Sequence, residues 1–375
     1  MDNKLMEAND NRPSASLDNK AIMMNSPKRV RPITSLGIQS DTAFNETAKN
    51  LAGRDLCSIA DLSVAEMTAI MELAHAVKAQ PEDFRHALDA RQMVLIFEKD
   101  SLRTRLTFET AMNTAGGNAL FVDQTSSPLG ERESIPDVAR NLERWMHVIV
   151  LRTYAHDTIT EMAANAKVPV INALSDLEHP CQAIADFMTL EERFGSLEGL
   201  KFTYVGDGNN VCHSLMLTAA LLGVHCTVAT PKGFEPKLEI VHKAIEIAEN
   251  SGGSLTLTHD PVKAATEADA IYTDVCTSMG QEHEAARRAP IFKPFQVNEE
   301  LMLRAQDSAV FMHCLPAHRG AEVTDAVLDG PQSIVFDQAE NRMHAQKAIT
   351  LMLLGGAKRL PTNRNRAGLQ ARTKR

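Results

Sequence analysis

The sequence predicts an α/β protein made of two doubly wound parallel-sheet domains joined by helices. Three observations carry this. Short, nearly all-apolar runs recur along the chain, as expected of strands buried on both faces. Segments of helical periodicity lie between most of them. The length of 375 residues, at roughly 150 residues per domain, leaves room for two such units.

Taken in order, residues 1–48 are rich in Asn, Asp, Ser and Pro without a sustained apolar period, and read as a disordered N-terminal tail. A helix is expected over 61–79, with Ser63 as its N-cap and Glu66 closing a capping box. A strand at 93–97 follows, then a helix over 101–115 stopped by Gly116-Gly117. A strand at 119–122, a helix over 135–145 and strands at 148–151 and 168–171 complete a first unit, 49–185. A helix over 182–193 joins it to a second unit, 186–340, with strands at 202–205, 225–229, 255–258, 270–273, 310–312 and 334–336. Residues 341–357 read as a helix returning to the first unit, and 358–375 as a flexible basic tail.

Composition narrows the function. A formal charge of −9 disfavours nucleic-acid binding, which needs clustered Lys and Arg. No apolar run approaches the ~18 residues of a membrane span. The six cysteines form no Cys-x-x-Cys pair and have no histidines at zinc spacing, so no metal is expected and the thiols read as free, in a reducing cytoplasm. Asp2, Glu7, Asp10 and Asp18 speak against a mitochondrial presequence.

Ligands of doubly wound sheets bind beyond the carboxyl ends of the strands, so chemistry is sought in those loops. The loop after strand 93–97 leads into a helix start with Ser101, Leu102, Arg103, Thr104 and Arg105; free N–H groups, the helix dipole and two guanidiniums there suit a phosphate. An ordinary capped helix with surface arginines is the competing reading. Arg152 ends strand 148–151 and could clamp the same anion. His179 and Gln182 share one turn, and together can hydrogen-bond a carbonyl oxygen and an amide NH2; a capping His and a surface Gln would look the same. The run Gly206-Asp207-Gly208-Asn209-Asn210 invites a nicotinamide-dinucleotide reading, but Val211 stands where the third glycine belongs, and no acid ends the next strand. The paired asparagines suit a zwitterion better. Asp274 ends a strand and could meet an ammonium; Ser278, Met279 and Gly280 follow. Cys314, Leu315 and Pro316 end strand 310–312, and Arg342 is expected to open the last helix.

These segments, Ser-x-Arg-Thr-Arg (101–105), His-Pro-Cys-Gln (179–182), Asp-Gly-Asn-Asn (207–210), Ser-Met-Gly (278–280), His-Cys-Leu-Pro (313–316) and Ala-Glu-Asn-Arg (339–342), occur in the order and spacing of the ornithine carbamoyltransferases, which the chain resembles over about 50–355. The aspartate branch lacks two of them. The resemblance implies carbamoyl phosphate + L-ornithine → L-citrulline + phosphate, with no cofactor. It implies that the phosphate meets the backbone of Ser101 to Thr104 with Arg103 and Arg152. The carbamoyl group would meet Thr104, His179, Gln182, Cys314, Leu315 and Arg342, and ornithine Asn210, Asp274, Ser278 and Met279. Arg103, His179, Asp274, Cys314 and Arg342 would carry catalysis, Cys314 as an orienting thiol. A cis Leu315–Pro316 bond is implied as well.

Two departures from the family pattern stand out. Leu102 replaces a Thr in the phosphate loop, as in acyl-ornithine transcarbamoylases, but the Arg-Arg that marks those after Cys-Leu-Pro is missing. The resemblance also implies a homotrimer, or a multiple of trimers, in which the loop 123–133 reaches into a neighbour's site. Where the family places a Gln, this chain has Pro128, so Arg132 is the candidate trans donor, with Gln124 as second choice. Competing readings are transfer to putrescine or an N-acylated ornithine, a catalytically dead paralogue, and a nicotinamide-binding protein. Arginine synthesis and breakdown would use the same chemistry.

Overall fold

A computed structural model describes residues 40–276 and 284–357. In chain order its elements are α1 (Asp41–Leu51), α2 (Val64–Ala79), β1 (Gln92–Phe97), α3 (Leu102–Asn113), β2 (Asn118–Asp123), α4 (Ile135–Leu142), β3 (Val148–Arg152), α5 (His156–Asn165), β4 (Val170–Leu174) and α6 (Pro180–Phe194). They continue as β5 (Lys201–Val205), α7 (Asn210–Leu221), β6 (His225–Ala229), α8 (Leu238–Ser251), β7 (Ser254–Thr258), α9 (Pro261–Ala265), β8 (Ala270–Thr273), α10 (Ala285–Phe292), α11 (Glu299–Met302), β9 (Val310–His313), α12 (Asp325–Leu328) and α13 (Val335–Leu353).

Two parallel sheets form, as the uniform apolar strands require. The first runs β2-β1-β3-β4 and the second β7-β6-β5-β8-β9. In each, the strand order reverses once, between β1 and β3 and between β5 and β8. Such a switch point opens a crevice beyond the strand ends. The interior strands β3 and β8 are buried at every position, whereas edge strands β2 and β7 keep several exposed residues. Helix α6 lies between the sheets, buried from Pro180 to Glu191, and therefore carries little polar surface. Ser63 and Glu66 form the expected capping box at α2.

Three sequence expectations need correction. Residues 41–48, assigned to the tail, belong to α1, whose Phe44, Ala48 and Leu51 are buried and which packs on α2 and α13. The stretch 334–336 is not a sixth strand. Phe311 N–H donates to Gln332 O and Ile334 N–H to Phe311 O, so the chain touches β9 for one bridge, then turns into α13. An apolar triplet at a helix start had the look of a strand, although Phe336 is 73% exposed. Arg342 consequently sits two turns inside α13 rather than at its opening.

Helix α13 packs back along α6, α2 and α3. Where these helices meet, His75 Nε2 lies 2.8 Å from Glu191, and Lys78 Nζ donates to Glu192 and Asn341 at 2.9 and 2.7 Å. Burial pulls the His75 pKa down, but the hydrogen bonds to Glu191 and Glu192 outweigh it and lift it to about 9. The folded state therefore holds this proton more tightly than the unfolded chain, whose histidine titrates near ~6.5. The gain is full below that pH and is lost as pH rises through about 9. The melting temperature is expected to fall between pH 6.5 and 9.5, by an amount corresponding to at most ~3 kcal/mol. His75→Gln should flatten that slope; an unchanged slope would acquit His75.

Candidate active site

Both switch points open into one cleft of about 980 Å³ between the sheets. From the first sheet, the loop after β1 leads to Ser101, whose Oγ accepts from Thr104 N–H and fixes the start of α3. Leu102 and Arg103 line the cleft beside it. Arg152, the last residue of β3, enters the same space with its Nε donating to Lys99 O (3.1 Å). Burial, then repulsion from Arg342 and Arg103, pulls the Arg152 guanidinium down to about 9. Burial lowers Arg103 and Arg342 as well. Three guanidiniums thus crowd one pocket at the start of a helix, and an anion would relieve them.

After β4 the chain turns into α6 through His179. Its backbone N–H donates to Ser214 Oγ on α7, which in turn donates to the buried carboxylate of Glu178. Glu178 also binds Ser58 and Ile59 N–H, so one carboxylate ties the first unit to the second directly beside His179. His179 itself is buried, and burial followed by Arg342 and Arg152 drives its pKa well below the usual histidine value. It is neutral at pH 7, and its buried Nδ1 has no partner among the described residues. Arg342 reaches in from α13: Nη1 donates to Gln182 Oε1 (2.8 Å) and Nη2 to Thr104 Oγ1 (2.9 Å).

The second sheet contributes from β5, β8 and β9. Cys314 Sγ donates to Asp274 Oδ1 (2.9 Å), and Asn209 Nδ2 to Asp274 Oδ2 (2.8 Å). Burial, then the Asp274 carboxylate, pushes the Cys314 thiol well up, so it remains a thiol and a hydrogen-bond donor at neutral pH. Leu315 has φ +58°, its N–H donates to His313 Nδ1, and the Leu315–Pro316 peptide is cis as expected. His313 Nε2 faces Glu322, which also accepts from His318 N–H, so the turn is braced from beneath. Among the described residues, ligand-type atoms of Asp274, His313 and Cys314 lie within 4.8 Å of one another, each engaged in the bonds just given.

The glycines of the 206–210 run serve the fold. A Cβ on Gly208 would lie 2.3 Å from Pro236 N, so the backbone of this same chain occupies the space a pyrophosphate would need. Asp207 is held by Arg288 (2.6 Å), which also donates to Cys276 O. Of the two asparagines, Asn209 caps α7 and orients Asp274, while Asn210 lines the cleft and donates to Ser175 O. The structure thus brings together Ser101, Leu102, Arg103, Thr104, Arg152, His179, Gln182, Asn210, Asp274, Cys314, Leu315 and Arg342 on one cleft. Ser278 and Met279 lie outside the described residues. Arg132 is exposed and does not line the cleft of its own chain. Asn209 was within reach of the sequence reading, since an Asn before a helix is a cap.

In this α/β protein a switch point with three guanidiniums thus faces, across one cleft, a second that carries a carboxylate and a thiol. The chain belongs to the aspartate/ornithine carbamoyltransferase family: the carbamoyl-P binding domain of that family matches residues 54–192, and the Asp/Orn binding domain matches 198–353. Among its relatives, the ornithine carbamoyltransferase of Pyrococcus horikoshii is 50% identical over 311 residues, covering 82% of this chain and 98% of the relative. That of Anoxybacillus flavithermus is 47% identical over 314 residues, 83% of this chain and 100% of the relative. The solved ornithine carbamoyltransferase of Pyrococcus furiosus superposes with a TM-score of 0.80 at 50% identity, covering 82% and 99% of the two chains. No described helix is long and apolar enough to cross a membrane.

Proposed function

We propose that this chain is an ornithine carbamoyltransferase, moving the carbamoyl group of carbamoyl phosphate to the δ-amine of L-ornithine to give L-citrulline and phosphate. The observation that carries the reading is the meeting of the Thr104–Arg342–Gln182 chain with the Cys314–Asp274–Asn209 chain in one cleft. Residues 49–185 take carbamoyl phosphate, residues 186–340 take ornithine, and 341–357 return Arg342 to the first unit.

In this reading the phosphate sits on the N–H groups at the start of α3, between Arg103 and Arg152. The carbonyl oxygen faces Thr104, Arg342 and neutral His179, while Gln182 and the Leu315 carbonyl hold the carbamoyl NH2. Ornithine binds through Asn210, Asp274, Ser278 and Met279. Its δ-ammonium, with an ordinary pKa near ~10, must lose a proton before it can attack. Cys314 and Asp274 lie where that amine enters and steer its lone pair to the carbamoyl carbon. As the tetrahedral centre forms, negative charge grows on the carbonyl oxygen and then on the leaving phosphate, where the three guanidiniums are already placed. The C–O bond breaks with its electron pair leaving on the phosphate oxygen, and the newly bonded nitrogen gives up its extra proton to the departing phosphate. A protonated thiol fits an orienting role for Cys314, since direct amine attack needs no covalent intermediate.

The protein is expected to form citrulline unaffected by EDTA, with ornithine preferred over putrescine and N-acetylornithine by at least tenfold in kcat/KM. A side-by-side assay of the three acceptors tests this, and preference for either alternative would reassign the substrate. The assembly proposed is a trimer or multiple of trimers. Supporting it, Leu102 and Leu106 on α3 and Leu120 and Val122 on edge strand β2 are all exposed beside the phosphate loop. A monomer would leave this apolar patch in water.

A further inference from the structure

Asp186 lies on α6 one turn beyond Gln182, wholly buried, and forms no ion pair among the described residues. Its Oδ1 accepts from Gln182 Nε2 (2.7 Å) and from Gln338 Nε2 (2.7 Å), and its Oδ2 accepts from the Tyr272 hydroxyl (3.0 Å). Each of these contacts leads to a different part of the cleft. With its NH2 committed to Asp186, the Gln182 amide must present its oxygen to Arg342, whose second nitrogen holds Thr104. The Gln338 oxygen accepts from the backbone N–H of His313, the residue before Cys314. Tyr272 is two residues before Asp274, where β8 ends.

We propose that Asp186 is a positioning residue: a single buried carboxylate that sets the carbamoyl-side groups Gln182 and Arg342 in register with the amine-side groups Asp274 and Cys314. The inference rests on the carbamoyltransferase reading of the cleft and goes beyond it, since Asp186 lies behind Gln182 and does not line the cleft. A residue needed only to fill the core would be apolar here, because a buried charge with neutral partners costs more than a well-packed leucine. The carboxylate fixes two features a leucine cannot: the direction of the Gln182 amide and the height of the β9 end relative to α6. Burial, against its three donors and Arg342, raises the Asp186 carboxyl to about 7. The titratable or charged groups facing it are Arg342 from α13, Tyr272 from β8 and Cys314 at the end of β9. As pH falls through about 7 the carboxyl gains a proton and loses its charge, so the charge-assisted hold on its three donors weakens.

The test uses the full chain. Wild-type citrulline formation is measured first, then kcat at saturating substrates from pH 5.5 to 9. Asp186→Asn keeps the shape and removes the charge. It is expected to lower kcat at least tenfold, to weaken carbamoyl phosphate binding severalfold by calorimetry, and to abolish the acid limb near pH 7 expected of the wild type. Tyr272→Phe keeps the carboxylate and the Gln182 arm; it cuts one of the two amine-side arms and removes the hydroxyl that Gln338 Nε2 also donates to (3.2 Å). It should raise KM for ornithine severalfold and leave carbamoyl phosphate affinity within twofold. An Asp186→Asn protein with kcat within twofold of wild type and the same acid limb would overturn the proposal, whatever its melting temperature. If that variant does not fold, Tyr272→Phe decides, and unchanged kcat and ornithine KM overturn the proposal. A wild type that makes no citrulline would count against the activity itself. Asp186→Asn would then be judged on carbamoyl phosphate affinity, and a value within twofold of wild type would overturn its role.

Discussion

Arg103→Ala is expected to weaken carbamoyl phosphate binding tenfold or more by calorimetry, and to depress kcat/KM by a larger factor. A charge-assisted contact to phosphate is worth ~1.5–3 kcal/mol, and the developing charge of the transition state adds to it. A structural role makes a different prediction. Arg103 is half-buried, forms no ion pair among the described residues, and repels Arg152 and Arg342. Removing it relieves that repulsion, so the ligand-free variant should melt at or above the wild-type temperature while losing its anion. Inorganic phosphate should raise the melting temperature of the wild type and do so much less for the variant. Unchanged affinity for carbamoyl phosphate would refute the assignment of the phosphate to this loop.

The second large effect is complementation. Arg132→Ala and Arg103→Ala are each expected to be nearly inactive, and mixing the two proteins to restore measurable citrulline formation. Arg132 is exposed and does not line its own cleft; it lies on the segment between β2 and α4, which follows directly on the edge strand that exposes Leu120 and Val122 of the apolar patch. If a neighbouring copy packs on that patch, its Arg132 comes within reach of this chain's phosphate loop. Mixed trimers would then contain some sites with an intact Arg103 and an intact Arg132. No recovered activity despite confirmed subunit exchange would remove Arg132 from the trans contact, and sedimentation as a monomer would end the shared site.

The sheets were legible because burial on both faces leaves an interior strand few polar positions, and few other elements produce such short apolar runs. The same signal misled at 334–336, where Ile334 and Val335 are apolar because a helix start is covered by β9, with Phe336 turned out to solvent. Residues 41–48 were missed because α1 buries only Phe44, Ala48 and Leu51, too sparse a period to stand out from a polar tail. Within the cleft, arginines at strand ends could be read from position alone. Asp186 could not: an acid one turn after a glutamine on a helix has the pattern of a solvated face, and only the packing of α13 and β8 around it reveals that it is buried. An Asn before a helix reads as a cap, which marks Asn209, but that it also holds Asp274 while Asn210 lines the cleft follows only from the fold.

Helix α13 carries a consequence for how the protein is made. A ribosome delivers residues in order, so the strands β1 to β4 and the phosphate loop leave the exit tunnel long before α13 does. Until α13 docks, Thr104 and Gln182 lack Arg342, and the faces of α2, α3 and α6 that it covers are open to water. The nascent first half therefore holds an apolar groove and an unfinished anion pocket at the same time. Synthesis of almost the whole described chain must precede closure of both, and a chain truncated before Val335 would remain a client for chaperones and proteases rather than a slow enzyme.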